Sequence, residues 1–160
     1  MDKITFFPIG TIYTPFEKKD NMPIQPNSAK NIKGKIVVNE EFSNGLKDLD
    51  GFSHIILIYN FHLSNEYSLN VIPFLDTEPR GLFSTRAPKR PNQIGMSIVK
   101  LDKIENNILF VSDIDVINKT PLLDIKPYVP DFDAPKNTKT GWYSKHGKKS
   151  SSKLSDNRFQ

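Results

Sequence analysis

The chain has 160 residues, no cysteine and a formal net charge of +4. That length supports one domain with a core of its own. The lack of cysteine excludes disulfides, thiol catalysis and cysteine-based metal sites, and it fits an intracellular location. No apolar run approaches the ~18 residues of a membrane span, and residues 1–7 do not read as a signal peptide, because no long apolar stretch follows the first cation. The charge is uneven. Residues 134–160 carry seven Lys/Arg against the single acid Asp156, a net +6, whereas residues 1–133 are −2. A basic tail of this kind suits an anionic partner, above all nucleic acid, or else is a solvated, partly disordered end.

Twelve prolines spread along the chain leave few windows for a long helix, so the chain reads as mainly β. A first strand is expected over Ile4–Tyr13, interrupted near Pro8 and Gly10, and a short second one over Lys35–Val38. Glu40–Leu49 is the best helical window, since Phe42, Leu46 and Leu49 share one face, although Gly45 weakens it. The nearly continuous apolar run Ser53–Phe61 predicts a central strand buried on both faces. Val71–Leu75 is a weaker strand. Ser97–Ile104 and Ile108–Val116 predict a hairpin around Glu105-Asn106-Asn107, because Asn accepts the positive φ of tight turns. Leu122–Val129 is a last extended piece. Many short strands with frequent turn signals argue a barrel or a sandwich. Beyond Asp133 apolar periodicity stops, and only Trp142-Tyr143 is expected to pack back on the body. The division is thus a domain over 1–133 and a basic tail over 134–160.

Three segments carry chemistry. The densest is Gly81–Ser97, which places Arg86, Lys89 and Arg90 close together and stiffens them with Pro88 and Pro91. Proline removes conformers that would otherwise have to be frozen out, and clustered guanidinium groups repel unless an anion is held between them. This reads as a rigid, cationic, ligand-binding loop. The second is Asp113–Asp131, in which Asp124 and Lys126 share one face of a strand and can pair, and Pro127 and Pro130 hold Tyr128 on a stiff frame. That pair is either a weak surface ion pair or part of a site. The third, Met22–Ser28, is a proline-flanked loop offering Gln25 and Ser28. His54 begins the apolar strand and reads as structural; His62 follows its end, where functional groups gather. The histidines lack metal spacing, and no glycine-rich nucleotide loop or nucleophile elbow occurs.

Together these segments resemble the TsaA/YaeB-like (TrmO-type) family of S-adenosylmethionine-dependent tRNA adenine-N6 methyltransferases. The resemblance rests on Phe52-Ser53-His54 and Phe61-His62, on the loop Gly81–Gly95, on Asn118–Tyr128 and on Ile9–Phe16, and it covers roughly residues 4–133. It implies a mainly β fold, a single-sheet β-barrel with short helices. It implies a homodimer that binds S-adenosyl-L-methionine near the subunit interface, acts in the cytoplasm on tRNA, and needs neither metal nor membrane. The family's reaction methylates N6 of threonylcarbamoyladenosine beside the anticodon. Carried residue by residue, the resemblance assigns cofactor contacts to Gln25, Pro26, His62, Leu63, Arg86, Met96, Ile98, Asp115, Val116, Ile117 and Asn118. Beside that assignment, Asp124 and Tyr128 are the candidate catalytic pair, as acceptor and stacking platform, and Lys89, Arg90, Asn92 and Lys126 are candidate substrate contacts.

Ile24 stands where longer members have Arg, and Asn118-Lys119 stand where the family has Asp-Gly, so a different local turn is expected. The basic tail replaces a C-terminal domain and is not expected to line the cofactor site. A binding module without turnover, or a methyltransferase acting on another RNA or a small molecule, is the alternative function.

Overall fold

Along His54–Asn60 every second residue is buried, and those between are half-buried. That alternation of period two is the mark of a strand with one face on a core. The computed structural model describes residues 2–18, 22–23, 29–145 and 155–156. Its strands are β1 (Gly10–Tyr13), β2 (Lys33–Val38), β3 (His54–Asn60), β4 (Asn70–Val71), β5 (Arg80–Gly81), β6 (Ile94–Glu105), β7 (Ile108–Ser112) and β8 (Thr120–Pro127). Six of them close into a barrel in the order β1-β2-β7-β6-β3-β8, with β8 pairing back onto β1. Every neighbouring pair is antiparallel. β4 and β5 form a separate two-stranded sheet. No helix among the described residues is long and apolar enough to cross a membrane.

The barrel interior is filled by β-branched and leucine side chains, among them Ile12, Ile36, Ile55, Leu57, Val99, Leu109, Val111 and Leu122, all fully buried. Such side chains lose little rotamer freedom on a pleated surface and pack it densely. Truncating one of them to alanine costs about 2–5 kcal/mol. A smaller cluster of Val71, Leu82 and Ala87, with Phe74 against it, lies beneath the loop that follows β5.

The hairpin turn forms as expected, with Glu105 paired to Ile108 and Asn106 at φ 54°, but its second strand stops at Ser112, just before Asp113 with φ 63°, rather than at Val116. Its tip is tied to β2 by Asn107 Nδ2 donating to Val38 O at 2.6 Å. Four other expectations are corrected. The first strand begins only at Gly10, and residues 4–8 are exposed, because Pro8 brings no donor to a ladder. β3 is buried on one face, since the sheet closes on itself and its outer face has no second layer. The helical window becomes two 3-10 turns, Glu40–Leu46 and Leu49–Gly51, separated at Asp48 with φ 64°. Ser43 Oγ donates to Glu40 O within the first of them, and Phe42 is left exposed while Leu46 and Leu49 pack on the core. Val71–Leu75 shrinks to two paired residues of β4.

In the turn before β8, Lys119 has φ 61°, the left-handed conformation that glycine favours. A lysine holds that conformation at a cost of about 1–2 kcal/mol.

Candidate active site

One end of the barrel is polar where the rest is apolar. Tyr59 on β3 and Ser97 on β6 both point inward, and both are buried. With Asp115 ionised, Ser97 Oγ donates to Asp115 Oδ1 at 2.7 Å, and the Tyr59 hydroxyl, 3.1 Å from Ser97 Oγ, donates to it in turn. Burial pushes the Asp115 carboxyl up from its ordinary 3.8 to about 6, against the opposing pull of the Ser97 hydroxyl and the Arg86 guanidinium. Burial, and then the negative charge of Asp115, also raise the Tyr59 hydroxyl, which stays neutral. Gly95 makes room for this floor. A Cβ there would meet the Tyr59 ring, with Tyr59 Cζ at 2.6 Å and Phe61 Cζ at 2.8 Å. The two rings pack edge to face, 5.4 Å between centroids, directly over the glycine backbone.

Above this floor opens a cavity of about 400 Å³, within the ~300–1,000 Å³ typical of small-molecule sites. Its walls come from the end of β3 and the residues after it, from the start of β6, from residues 115–117 and from the loop after β5. That loop is tethered at several points. Leu82 anchors it in the small cluster. Thr85 Oγ1 donates to Leu82 O at 2.8 Å, and Ser64 Oγ donates to Pro88 O at 3.2 Å. The cationic cluster is divided in function. Arg90 donates through Nη1 to Thr85 O and Ala87 O and lies 5.7 Å over the Phe83 ring, so it clips the loop to itself. Arg86 lines the cavity and makes no hydrogen bond or ion pair with the described residues. It is the guanidinium available to a ligand anion.

Of the residues singled out in the sequence, the cavity brings together His62, Leu63, Arg86, Met96, Asp115, Val116 and Ile117, with Arg90 beside them. His62 Nδ1 lies 3.4 Å from Thr120 Oγ1. Gln25 and Pro26 lie outside the described residues. Asn118 is elsewhere: its Oδ1 accepts from Thr14 N at 3.1 Å and its Nδ2 donates to Glu17 Oε1 at 2.7 Å, so it fastens residues 14–17 to the turn.

Asp124, Lys126 and Ile98 lie on the outer face of β8 and β6, with Ile56 and Ile58 between them by register and Met96 at the cavity rim. There Asp124 pairs with Lys126 at 2.8 Å and accepts from Ile125 N. Tyr128 meets His54 edge-on at 6.4 Å, and the Ser53 hydroxyl is hydrogen-bonded to His54 Nδ1. Lys89 is half-buried and Asn92 exposed; neither lines the cavity.

Sequence reasoning missed Tyr59, Phe61 and Thr120 in the walls. A phenol on the core face of the strand that His62 follows was the one available signal. It also misplaced the tail. Ser155 and Asp156 line the cavity, contrary to expectation, and Ser155 bonds Met22 in both directions. Trp142 packs back as expected, donating from Nε1 to Ser84 O at 2.9 Å beneath the Arg80 guanidinium.

The geometry suits a ligand with both signs of charge and an apolar body. Arg86 answers an anion, Asp115 and Asp156 answer cations, and Phe61, Leu63, Pro88 and Ile117 supply apolar wall. Comparison with known proteins agrees. A profile of the tRNA-methyltransferase O N-terminal domain matches residues 11–134. A probable S-adenosyl-L-methionine-binding protein from Pyrococcus abyssi is 49% identical over 98% of this chain and 85% of its own. The human tRNA (adenine(37)-N6)-methyltransferase is 37% identical over 81% of this chain but only 31% of its own. The crystal structure of TrmO from Pseudomonas aeruginosa superposes with a TM-score of 0.75 at 35% identity, covering 88% of this chain and 63% of that one. With more than half of its length inside that profile and the same barrel as the solved structure, the chain belongs to the tRNA-methyltransferase O N-terminal domain family.

Proposed function

We propose that this chain binds S-adenosylmethionine in the cavity at the barrel end and transfers its methyl group to an adenine N6 of tRNA, that of threonylcarbamoyladenosine beside the anticodon. The observation that carries the reading is a juxtaposition across one apolar cavity. On one side is Asp115, held by Ser97, which Tyr59 holds in turn; on the other is Arg86, with no ion-pair partner among the described residues. When bound, S-adenosylmethionine supplies a methyl group on a sulfonium, which a nitrogen nucleophile can take. Arg86 binds a carboxylate in the cavity. Asp115 lowers the energy of a cation beside it most when ionised, and the fixed hydroxyls of Ser97 and Tyr59 spare it reorientation. Phe61, Leu63 and Pro88 exclude water and so strengthen both interactions.

N6 of threonylcarbamoyladenosine is a weak nucleophile, because its lone pair is shared with the ring and the carbamoyl group, so accurate placement does most of the catalytic work. Methylation there costs N6 its one proton and leaves the donor as a thioether. Asp124 accepts from the N6 N–H and Tyr128 stacks on the base, while Lys89, Arg90, Asn92 and Lys126 hold phosphate or carboxylate groups of the RNA. Because Asp124 and Tyr128 lie on the outer face of the barrel, away from the cavity of their own subunit, the reading includes a homodimer. One subunit's β8 then faces its partner's cavity, and the half-buried Ile56, Ile58 and Ile98 form the apolar part of the contact. Residues 1–133 are the barrel domain, 134–160 the basic tail, and the location is cytoplasmic. That same separation of Asp124 from the cavity also favours a second reading, a cofactor-binding module without turnover. Mass spectrometry of nucleosides from tRNA treated with the protein and cofactor decides between them. A gain of one methyl on threonylcarbamoyladenosine is expected, and cofactor binding without any methylated nucleoside would overturn tRNA as the substrate and favour the second reading.

A further inference from the structure

The tail meets the cavity at a defined point. Ser155 N donates to Met22 O at 2.8 Å, and Met22 N donates to Ser155 Oγ at 2.8 Å. These reciprocal bonds join residues 133 positions apart, and both partners line the cavity, with Pro23 and Asp156 beside them. Met22 and Pro23 are buried. Earlier in the tail, within the turn Gly141–Lys145, the chain is already held to the loop after β5. There Trp142 is bonded to Ser84, just before the Thr85–Arg86 lining.

We propose that residues 155–156 are a working wall of the cofactor cavity rather than a solvated end: Ser155 fixes the strap to Met22, and Asp156 adds a carboxylate beside a cationic ligand. The inference rests on the reading of the cavity as an S-adenosylmethionine site. Its chemistry follows from the charges present. Arg86 and Arg90 stand on one loop of the cavity, while Asp115 on its floor and Asp156 on the strap are its two carboxylates among the described residues. A ligand carrying a sulfonium and an ammonium group beside one carboxylate is a net cation. The strap therefore supplies the second negative charge that such a ligand needs, from the one stretch of the chain that is otherwise basic. By linkage, a ligand that touches residues 155–156 holds them in place to the extent that they hold the ligand.

The test uses the full-length chain and two point variants. Ser155→Pro removes the N–H and the hydroxyl of the bridge, and Asp156→Asn removes only the charge. Titration calorimetry with S-adenosylmethionine is expected to show about tenfold weaker binding for Ser155→Pro, the effect of two lost hydrogen bonds. Asp156→Asn should weaken S-adenosylmethionine but leave 5′-methylthioadenosine, which has neither sulfonium nor amino-acid moiety, unchanged. Saturating cofactor should also slow tryptic cleavage after Lys153 in the unaltered chain and fail to do so in Ser155→Pro. Thermal midpoints equal to the parent's show that the barrel is intact in both variants. Parent-like affinity in both variants, with cleavage indifferent to cofactor, overturns the strap while leaving the cofactor reading standing. Absence of binding by the unaltered chain overturns the cofactor reading itself, and the strap with it.

Discussion

The inner end of the barrel and the outer face of β3, β6 and β8 are built by the same three strands, yet they do opposite things. Inward positions Tyr59, Gly95 and Ser97 make a polar floor beneath the cavity. Outward positions one residue away, Ile58, Met96 and Ile98, join Asp124 and Lys126 to make a half-exposed surface of mixed character. Because strand side chains alternate with period two, a site and a contact surface can share a ladder without sharing a side chain. The difference teaches where function is concentrated. At Gly95 the floor has no room for a side chain, whereas the outer face is half-exposed.

The largest effect should come from the floor. Gly95→Ala puts a methyl group where the Tyr59 and Phe61 rings lie, so those rings, which line the cavity, must shift. Cofactor affinity should fall more than a hundredfold, and stability should fall by about 1–3 kcal/mol, the usual cost of overpacking. Parent-like binding by calorimetry would show that the two rings do not define the site.

The outer face comes next. Ile58→Asp leaves the core untouched, since Ile58 points away from it. It should weaken self-association about thirtyfold by light scattering or sedimentation, roughly 2 kcal/mol, and methyl transfer should fall with it. A monomeric variant with full activity would confine the whole site to one subunit.

The smallest effect concerns the charge in the floor. With its carboxyl raised to about 6, Asp115 is largely protonated at pH 5 and ionised at pH 8. Affinity for a cationic ligand should therefore rise with pH through about 6 and level off above 7. Asp115→Asn should bind about tenfold more weakly at pH 8 and lose that pH dependence. Stability runs the other way. The folded-state value lies above the ordinary 3.8, so the contribution of the protonated group is fully present below about pH 4 and is lost as pH rises through about 6. Without cofactor, Asp115→Asn should be more stable than the parent at pH 8 by on the order of 1–3 kcal/mol. A flat binding profile in the parent would remove Asp115 from contact with the charge.

How much of this was legible differs between the two regions. β3 and the turn of the β6–β7 hairpin are written in local pattern, an apolar run and an Asn-Asn pair, and both form where expected. The loop over residues 81–95 is likewise declared by its prolines and arginines. The Glu40–Leu49 window failed because its periodicity was right for a helix while Gly45 and the hydroxyl of Ser43 favoured tighter turns. The Tyr59–Ser97–Asp115 chain was illegible for another reason. Its members come from β3, β6 and the segment after β7, and only closure of the barrel brings them within hydrogen-bond reach. The tail was misread because charge and composition describe a segment's solubility and say nothing of the reciprocal bonds that Ser155 makes to Met22.

Closure of the barrel has one more consequence. With β8 paired to β1, each of the six barrel strands has a neighbouring strand on both sides, and none is an edge strand of the sheet. Strand addition, by which many sheets capture peptides or extend into fibrils, has no template on the barrel. Whatever docks on the barrel wall, a second subunit or an RNA loop, must be recognised through side chains, so specificity there is open to change one residue at a time.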